Sequence, residues 1–154
     1  DTLFLCELAG KEGQVLAFDI QKQALESTRA LLKSEGMEQK ARLILDSHEN
    51  MAKYVDEASV DGICFNFGYL PGSDHSLATK PESSKNAVIE GLRLLKKGGV
   101  MSLCIYSGGE TGFEERDTLL AYLKSLDEKK YLVIVSAYYN RKNNPPIPVL
   151  IIKK

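Results

Sequence analysis

Apolar positions along the chain alternate between two periods. Residues 15–20, 41–45 and 60–65 are short, mostly apolar runs with polar borders, the pattern of buried strands. Between the first two, Ala24, Leu25, Thr28, Leu31 and Leu32 recur at helical spacing over residues 21–35, and Gly36 stands where a helix stops. Residues 1–10 read as a helix carrying Leu3, Leu5, Leu8 and Ala9 and closed by Gly10 and Gly13. Residues 49–57 read as a short helix. Thr79, Pro81 and Glu82 are start signals for another, with Val88, Gly91, Leu92 and Leu95 inward and Lys96-Lys97-Gly98-Gly99 as its stop. A strand over residues 100–106, a glycine-rich turn over 107–112 and a helix with Leu119, Tyr122, Leu123 and Leu126 inward come next. The chain closes with a long strand over 131–139, a turn over 140–148 and a strand over 149–152.

Strands that alternate with helices imply a doubly wound, mostly parallel α/β sheet. Two strands in direct succession at the end imply one antiparallel C-terminal strand. No repeat or linker divides the chain, so residues 1–154 read as a single domain.

Composition narrows the picture. A chain of 154 residues with 44% hydrophobic and 27% charged residues is ordinary for a globular domain. A net charge of −1 gives no global basic field, so small molecules and locally docked RNA are both allowed. Cys6, Cys64 and Cys104 are widely spaced, and two lie in apolar strand-like runs, which fits reduced, buried thiols in a cytosolic protein. No metal site is expected, because the two histidines, His48 and His75, share no ligand spacing. No stretch has the length of a membrane span.

The least regular stretch carries the most chemistry. From Asn66 to Lys80 periodicity is lost, and Asn66-Phe67-Gly68-Tyr69-Leu70-Pro71-Gly72-Ser73-Asp74-His75 assembles an amide, aromatic rings, a carboxylate and an imidazole. Loops of this length in compact domains are functional or disordered. An asparagine amide followed three residues later by a tyrosine suits an amine or planar base: oxygens accept its N–H bonds and a ring covers its face. Gly68, Pro71 and Gly72 serve turns as well. Asn143-Asn144-Pro145-Pro146 is a second such motif, read as a plain turn because it does not follow the carboxyl end of a parallel strand.

Other strand ends carry polar groups too. Asp19 closes its strand where an acidic residue commonly binds ribose hydroxyls in nucleotide-binding folds; a carboxylate at a helix start is equally a stabilising feature. Ile20 could cover an adenine face and Gln21 add a hydrogen bond. Asp46-Ser47-His48 closes the neighbouring strand, either to read an adenine edge or to cap the next helix with Glu49 and Asn50.

The set Ala17-Phe18-Asp19-Ile20-Gln21, Leu45-Asp46-Ser47-His48-Glu49-Asn50, the loop motif from Asn66 to His75, and Asn140-Arg141-Lys142-Asn143-Asn144-Pro145-Pro146 resembles the rRNA-methylase-like family of Gram-positive bacteria, class I S-adenosylmethionine (SAM)-dependent methyltransferases. Its characterised members are similar to tRNA 5-aminomethyl-2-thiouridine methyltransferases, which act on the wobble uridine. The resemblance implies a Rossmann-like, seven-stranded sheet whose last strand is antiparallel. Family members carry a strand and a Gly-Asn-Gly-His loop before the segment matching Asp1-Thr2-Leu3-Phe4-Leu5. Both are absent here, so Asp1 and Thr2 are expected at the edge of a cofactor loop that cradles the methionine part.

The resemblance also implies roles. Asp1, Thr2, Asp19, Ile20, Gln21, Asp46, Ser47 and His48 would bind SAM. Asn66 would orient a substrate nitrogen, Tyr69 pack on the substrate, and Asp74 or His75 take the proton. The tips of the strands at Asp19, Asp46 and Asn66 are expected to converge on the cofactor. Arg141 and Lys142, with Lys129 and Lys130, are candidates for phosphate contacts. The partner would be the anticodon region of tRNA, and a homodimer is allowed. Rival readings are a methyltransferase of rRNA or small amines, a nicotinamide-dependent dehydrogenase, and a non-catalytic binding subunit. The dehydrogenase is disfavoured by the terminal strand pair and the lack of a Tyr-x-x-x-Lys motif.

Overall fold

The computed structural model describes residues 1–67, 81–107 and 112–154. They form two compact units, Asp1–Asn50 and Met51–Lys154.

In the first unit, helix α1 (Thr2–Leu8) precedes β1 (Val15–Asp19), α2 (Lys22–Ser34) and β2 (Ala41–Leu45). The two strands pair in parallel, with Val15 opposite Ala41 and Asp19 opposite Leu45. Leu25, Leu32 and Ile44 are buried, as the helical and strand periods anticipate. Helix α2 ends at a glycine in the left-handed region, Gly36 (φ 67°). There the Met37 amide donates to the Leu32 carbonyl at 2.8 Å and the Gly36 amide to Lys33 at 3.2 Å, the double closure that only a residue tolerant of positive φ permits cheaply. Lys40 Nζ reaches back to the carbonyls of Gly10 and Lys11, tying the chain ahead of β2 to the end of α1.

The second unit is a four-stranded sheet with two helices, β3 (Val60–Phe67), α3 (Pro81–Leu94), β4 (Leu95–Ile105), α4 (Gly112–Lys124), β5 (Tyr131–Val135) and β6 (Ile147–Lys153), in strand order β3-β4-β6-β5. Alternation along β4 decides which face is core: Met101, Leu103 and Ile105 are buried, whereas Ser102 is exposed and Cys104 half-buried. Cys64 of β3, opposite Ser102, is exposed by the same alternation, so of the three thiols expected to be buried Cys6 alone is. Phe65, Phe67, Val149 and Ile151 join the same buried layer with Ala87, Val88 and Leu92 of α3 and Leu119 and Leu123 of α4. Phe65 and Phe67 stack with centroids 4.8 Å apart. Gly91 keeps α3 tight against the sheet, since a Cβ there would stand 2.6 Å from Met101 Cε.

β3 and β4 are parallel, and β6 is antiparallel to both β4 and β5. Within the four-stranded sheet β3, β4 and β5 therefore run the same way and β6 is the reversed strand. Several boundaries differ from the sequence reading. Helix α3 ends at Leu94 and β4 begins at Leu95, so Lys96-Lys97-Gly98-Gly99 lies inside the strand instead of preceding a strand that starts at residue 100. Residues 48–53 form a 3-10 helix (His48–Lys53) rather than an α-helix over 49–57. β3 runs through Asn66 to Phe67, so Asn66 is a strand residue and not the start of a loop. β5 stops at Val135, and β6 begins at Ile147. Prolines explain the shortened β5: Pro145, Pro146 and Pro148 have no N–H to donate to a ladder.

Candidate functional site

Asp19 and Asp46 stand at the carboxyl edge of the β1–β2 pair, the edge at which α/β sheets bind ligands. Asp19 is held by its own turn: Oδ1 accepts the Gln21 amide at 2.8 Å. Oδ2 has no hydrogen-bond partner among the described residues, so one oxygen anchors the carboxylate while the other remains available to vicinal hydroxyls. Ile20, next along, is 56% exposed, unusual for an isoleucine at a strand tip and suited to lying under a flat ring. Gln21 spends its backbone amide on Asp19. A buried apolar tip would have spoken against a nucleoside here; this edge has the acceptor and the apolar cover that an adenosyl group calls for.

Asp46 is oriented by two donors, the Ser47 amide at 2.7 Å and Asn50 Nδ2 at 2.6 Å, both on Oδ1. Ser47 Oγ accepts the Glu49 amide at 3.3 Å and contacts Glu49 Oε2 at 3.4 Å. The capping role weighed for this segment is therefore present, on a 3-10 turn. His48 opens that turn and is half-buried. Asp1 is the N-cap of α1, its carbonyl accepting the Leu5 amide at 2.9 Å, with Thr2 as first helical residue.

In the second unit the carboxyl edge is marked by Asn66-Phe67 of β3 and Tyr106-Ser107 after β4. The Phe67 carbonyl takes the Tyr106 amide at 2.9 Å, which brings the two ends level. Asn66 is exposed and lies opposite Cys104, on the face away from the phenylalanines. Tyr69, Asp74 and His75, the other catalytic candidates, lie outside the described residues.

Tyr106 is a further candidate, absent from the sequence reading. Its hydroxyl shares a hydrogen bond with Cys104; that bond first, then burial, then the neighbouring Cys104 and Tyr138 groups push its phenol above the ordinary range. Near neutral pH it is a protonated phenol, two residues from the position opposite Asn66. The signal was the register of β4 against β3, which no local pattern displays.

The β5–β6 connection needs a correction. Its sequence does not show it to follow a parallel strand, yet two successive antiparallel pairings restore direction, so β5 runs the same way as β3 and β4. Ile105 lies opposite Ile147 and Val135 opposite Val149, which places residues 136–146 at the carboxyl edge. The turn itself is real: Asn143 and Asn144 adopt positive φ of 65° and 48°. Lys129 and Lys130, once grouped with Arg141 and Lys142, are at the far edge, roughly 16 Å of strand away.

Among the described residues no three His, Cys, Asp or Glu side chains are placed to hold a metal, and no helix is long and apolar enough to cross a membrane.

Residues 15–152 match the family model described as "Putative rRNA methylase". The chain is 34% identical over 160 residues to a protein of Arabidopsis thaliana described as "tRNA (mnm(5)s(2)U34)-methyltransferase, chloroplastic", covering 98% of the chain and 57% of that protein. It thus spans little more than half the length of this relative. Among solved structures, one described as a "putative rRNA-methylase" from Clostridium thermocellum is 43% identical with a TM-score of 0.95, over 100% of this chain and 82% of that one. Another, from Streptococcus mutans and described as a "putative methyltransferase" in complex with SAH, is 37% identical with a TM-score of 0.89, over the same shares, 100% and 82%. With the strand order and the reversed β6, these matches settle the classification: the chain belongs to the rRNA methylase family and has the Rossmann-like class I methyltransferase fold.

Proposed function

We propose that the protein is a SAM-dependent N-methyltransferase acting on RNA, and that its acceptor is the aminomethyl group of the modified wobble uridine in tRNA. The observation that carries the cofactor part is the tip of β1, where a turn-anchored carboxylate and an exposed isoleucine stand side by side. The Arabidopsis relative supports the tRNA part, and the family match across both units supports reading residues 1–154 as one methyltransferase domain.

SAM, when bound, supplies a methyl group already activated on a sulfonium. The protein's work is then alignment, exclusion of water and selection of the neutral amine. Asp19 holds the ribose hydroxyls, Ile20 covers the adenine, and Gln21, Asp46, Ser47 and His48 complete that side, with Asp1 and Thr2 toward the methionine part. Asn66 accepts N–H bonds from the amine and so aims its lone pair. An alkylamine resembles lysine, with an ordinary pKa near ~10.4, so it must reach the site deprotonated or lose a proton there. Asp74 or His75 takes that proton and Tyr69 packs on the base. The enzyme works in the cytoplasm, and a homodimer is compatible with it.

Methyl transfer from labelled SAM to tRNA anticodon stem-loops tests the substrate. Label entering only stem-loops that carry the aminomethyl group supports the reading. Label entering rRNA fragments or free alkylamines instead overturns the substrate, and no transfer to any nitrogen overturns the enzyme.

A further inference from the structure

Basic residues are distributed unevenly. All 21 carboxylate residues precede residue 129, and from there to the C-terminus the chain has six lysines and arginines and no acid. Four of the six have structural places at the far edge: Lys129 and Lys130 lead into β5, Lys153 Nζ donates to the Leu92 and Leu95 carbonyls at 2.8 and 2.7 Å, and Lys154 Nζ donates to the Glu128 carbonyl. Arg141 and Lys142 are different. They are exposed, in the β5–β6 connection, at the same edge of the sheet as Asn66.

Two rings accompany them. Tyr139 is completely exposed and Tyr138 is 50% exposed, within a turn closed by the Arg141 amide on the Tyr138 carbonyl at 3.3 Å. A fully exposed tyrosine gains nothing from burial and leaves a large flat surface in water. Cations and bare rings on one acid-free turn are the two components of a single-strand nucleic-acid site: charge follows the phosphates, and bases stack on the rings.

We propose that the β5–β6 connection, residues 136–146, seats an unpaired stretch of the RNA substrate, with Tyr139 and Tyr138 as stacking platforms and Arg141 and Lys142 as phosphate contacts. This rests on the RNA reading above and assigns it a surface. Pro145 and Pro146 fix φ within the connection and Pro148 fixes it at the junction with β6, which lowers the backbone entropy that binding has to remove.

The test is fluorescence anisotropy of the full chain with a labelled anticodon stem-loop, and with a blunt RNA duplex as comparison. Wild type should favour the stem-loop. Tyr139→Ala should weaken it roughly fivefold to a hundredfold, while Tyr139→Phe, which keeps the ring, should bind like wild type. Arg141→Ala and Lys142→Ala should each flatten the slope of log affinity against log salt by about 0.7. Thermal unfolding of each variant separates binding losses from folding losses, and these exposed positions should melt like wild type. If wild type binds the stem-loop and all three alanine variants bind it equally well, the platform is wrong and the RNA reading stands. If wild type binds no RNA, both fall.

Discussion

Ser84 Oγ donates a hydrogen bond to Glu115 Oε1, and both residues are buried, at 0% and 1% exposure. Ser84 is in the first turn of α3 and Glu115 in that of α4, so one polar contact joins the starts of the two helices that cover the sheet. A carboxylate removed from water needs its donors. Ser84→Ala should cost about 1.5–3 kcal/mol, the range for hydrogen bonds to charged groups. Urea unfolding checks this; a loss under about 0.5 kcal/mol would mean that the contact contributes little.

Lys153 should stabilise α3 from its other end. Its ammonium closes on carbonyls at the end of that helix, where orphan acceptors and the helix dipole both favour a cation. Lys153→Met keeps most of the aliphatic stem and removes the charge. We expect a loss of about 1 kcal/mol, read as a melting temperature lower by about 2–4 °C. An unchanged melting temperature contradicts the capping role.

The Tyr106–Cys104 hydrogen bond makes a prediction for high pH. The phenol is raised in the folded protein, chiefly by that bond and then by burial. Its contribution to stability is thus complete below the unfolded value of about 10 and is lost as pH rises through the folded value. Phenolate absorbance of wild type minus Tyr106→Phe isolates this residue. Its midpoint should lie above about 10 and fall in Cys104→Ala; a midpoint at or below the ordinary value rules the bond out.

What could be read from residues alone follows the range of the interaction. The turn at the tip of β1 is local, and so was foreseeable: an apolar run ends in an aspartate that accepts an amide two residues on. The stop of α2 at Gly36 is local too. Asn66 reads as the start of a loop because periodicity is lost from there on, but Phe65 and Phe67 share the buried face and carry the strand through it. The position of residues 136–146 depends on two strand reversals, and that of Ser84 on a helix 31 residues away in sequence. Neither long-range relation leaves a mark in local periodicity. The family motifs pointed to the chemistry, while register supplied Tyr106 and the tyrosine turn.

The division of labour between strand tips is open to one paired measurement: SAM affinity by calorimetry and single-turnover methyl transfer, on the same preparations of wild type, Asp19→Ala and Asn66→Ala. Loss of the ribose contacts should weaken cofactor binding by Asp19→Ala roughly tenfold to a hundredfold. Asn66→Ala should bind SAM like wild type and transfer methyl at least a hundredfold more slowly, as expected when an orienting group is removed. Transfer by Asn66→Ala at the wild-type rate, or unchanged SAM affinity in Asp19→Ala, would contradict the account.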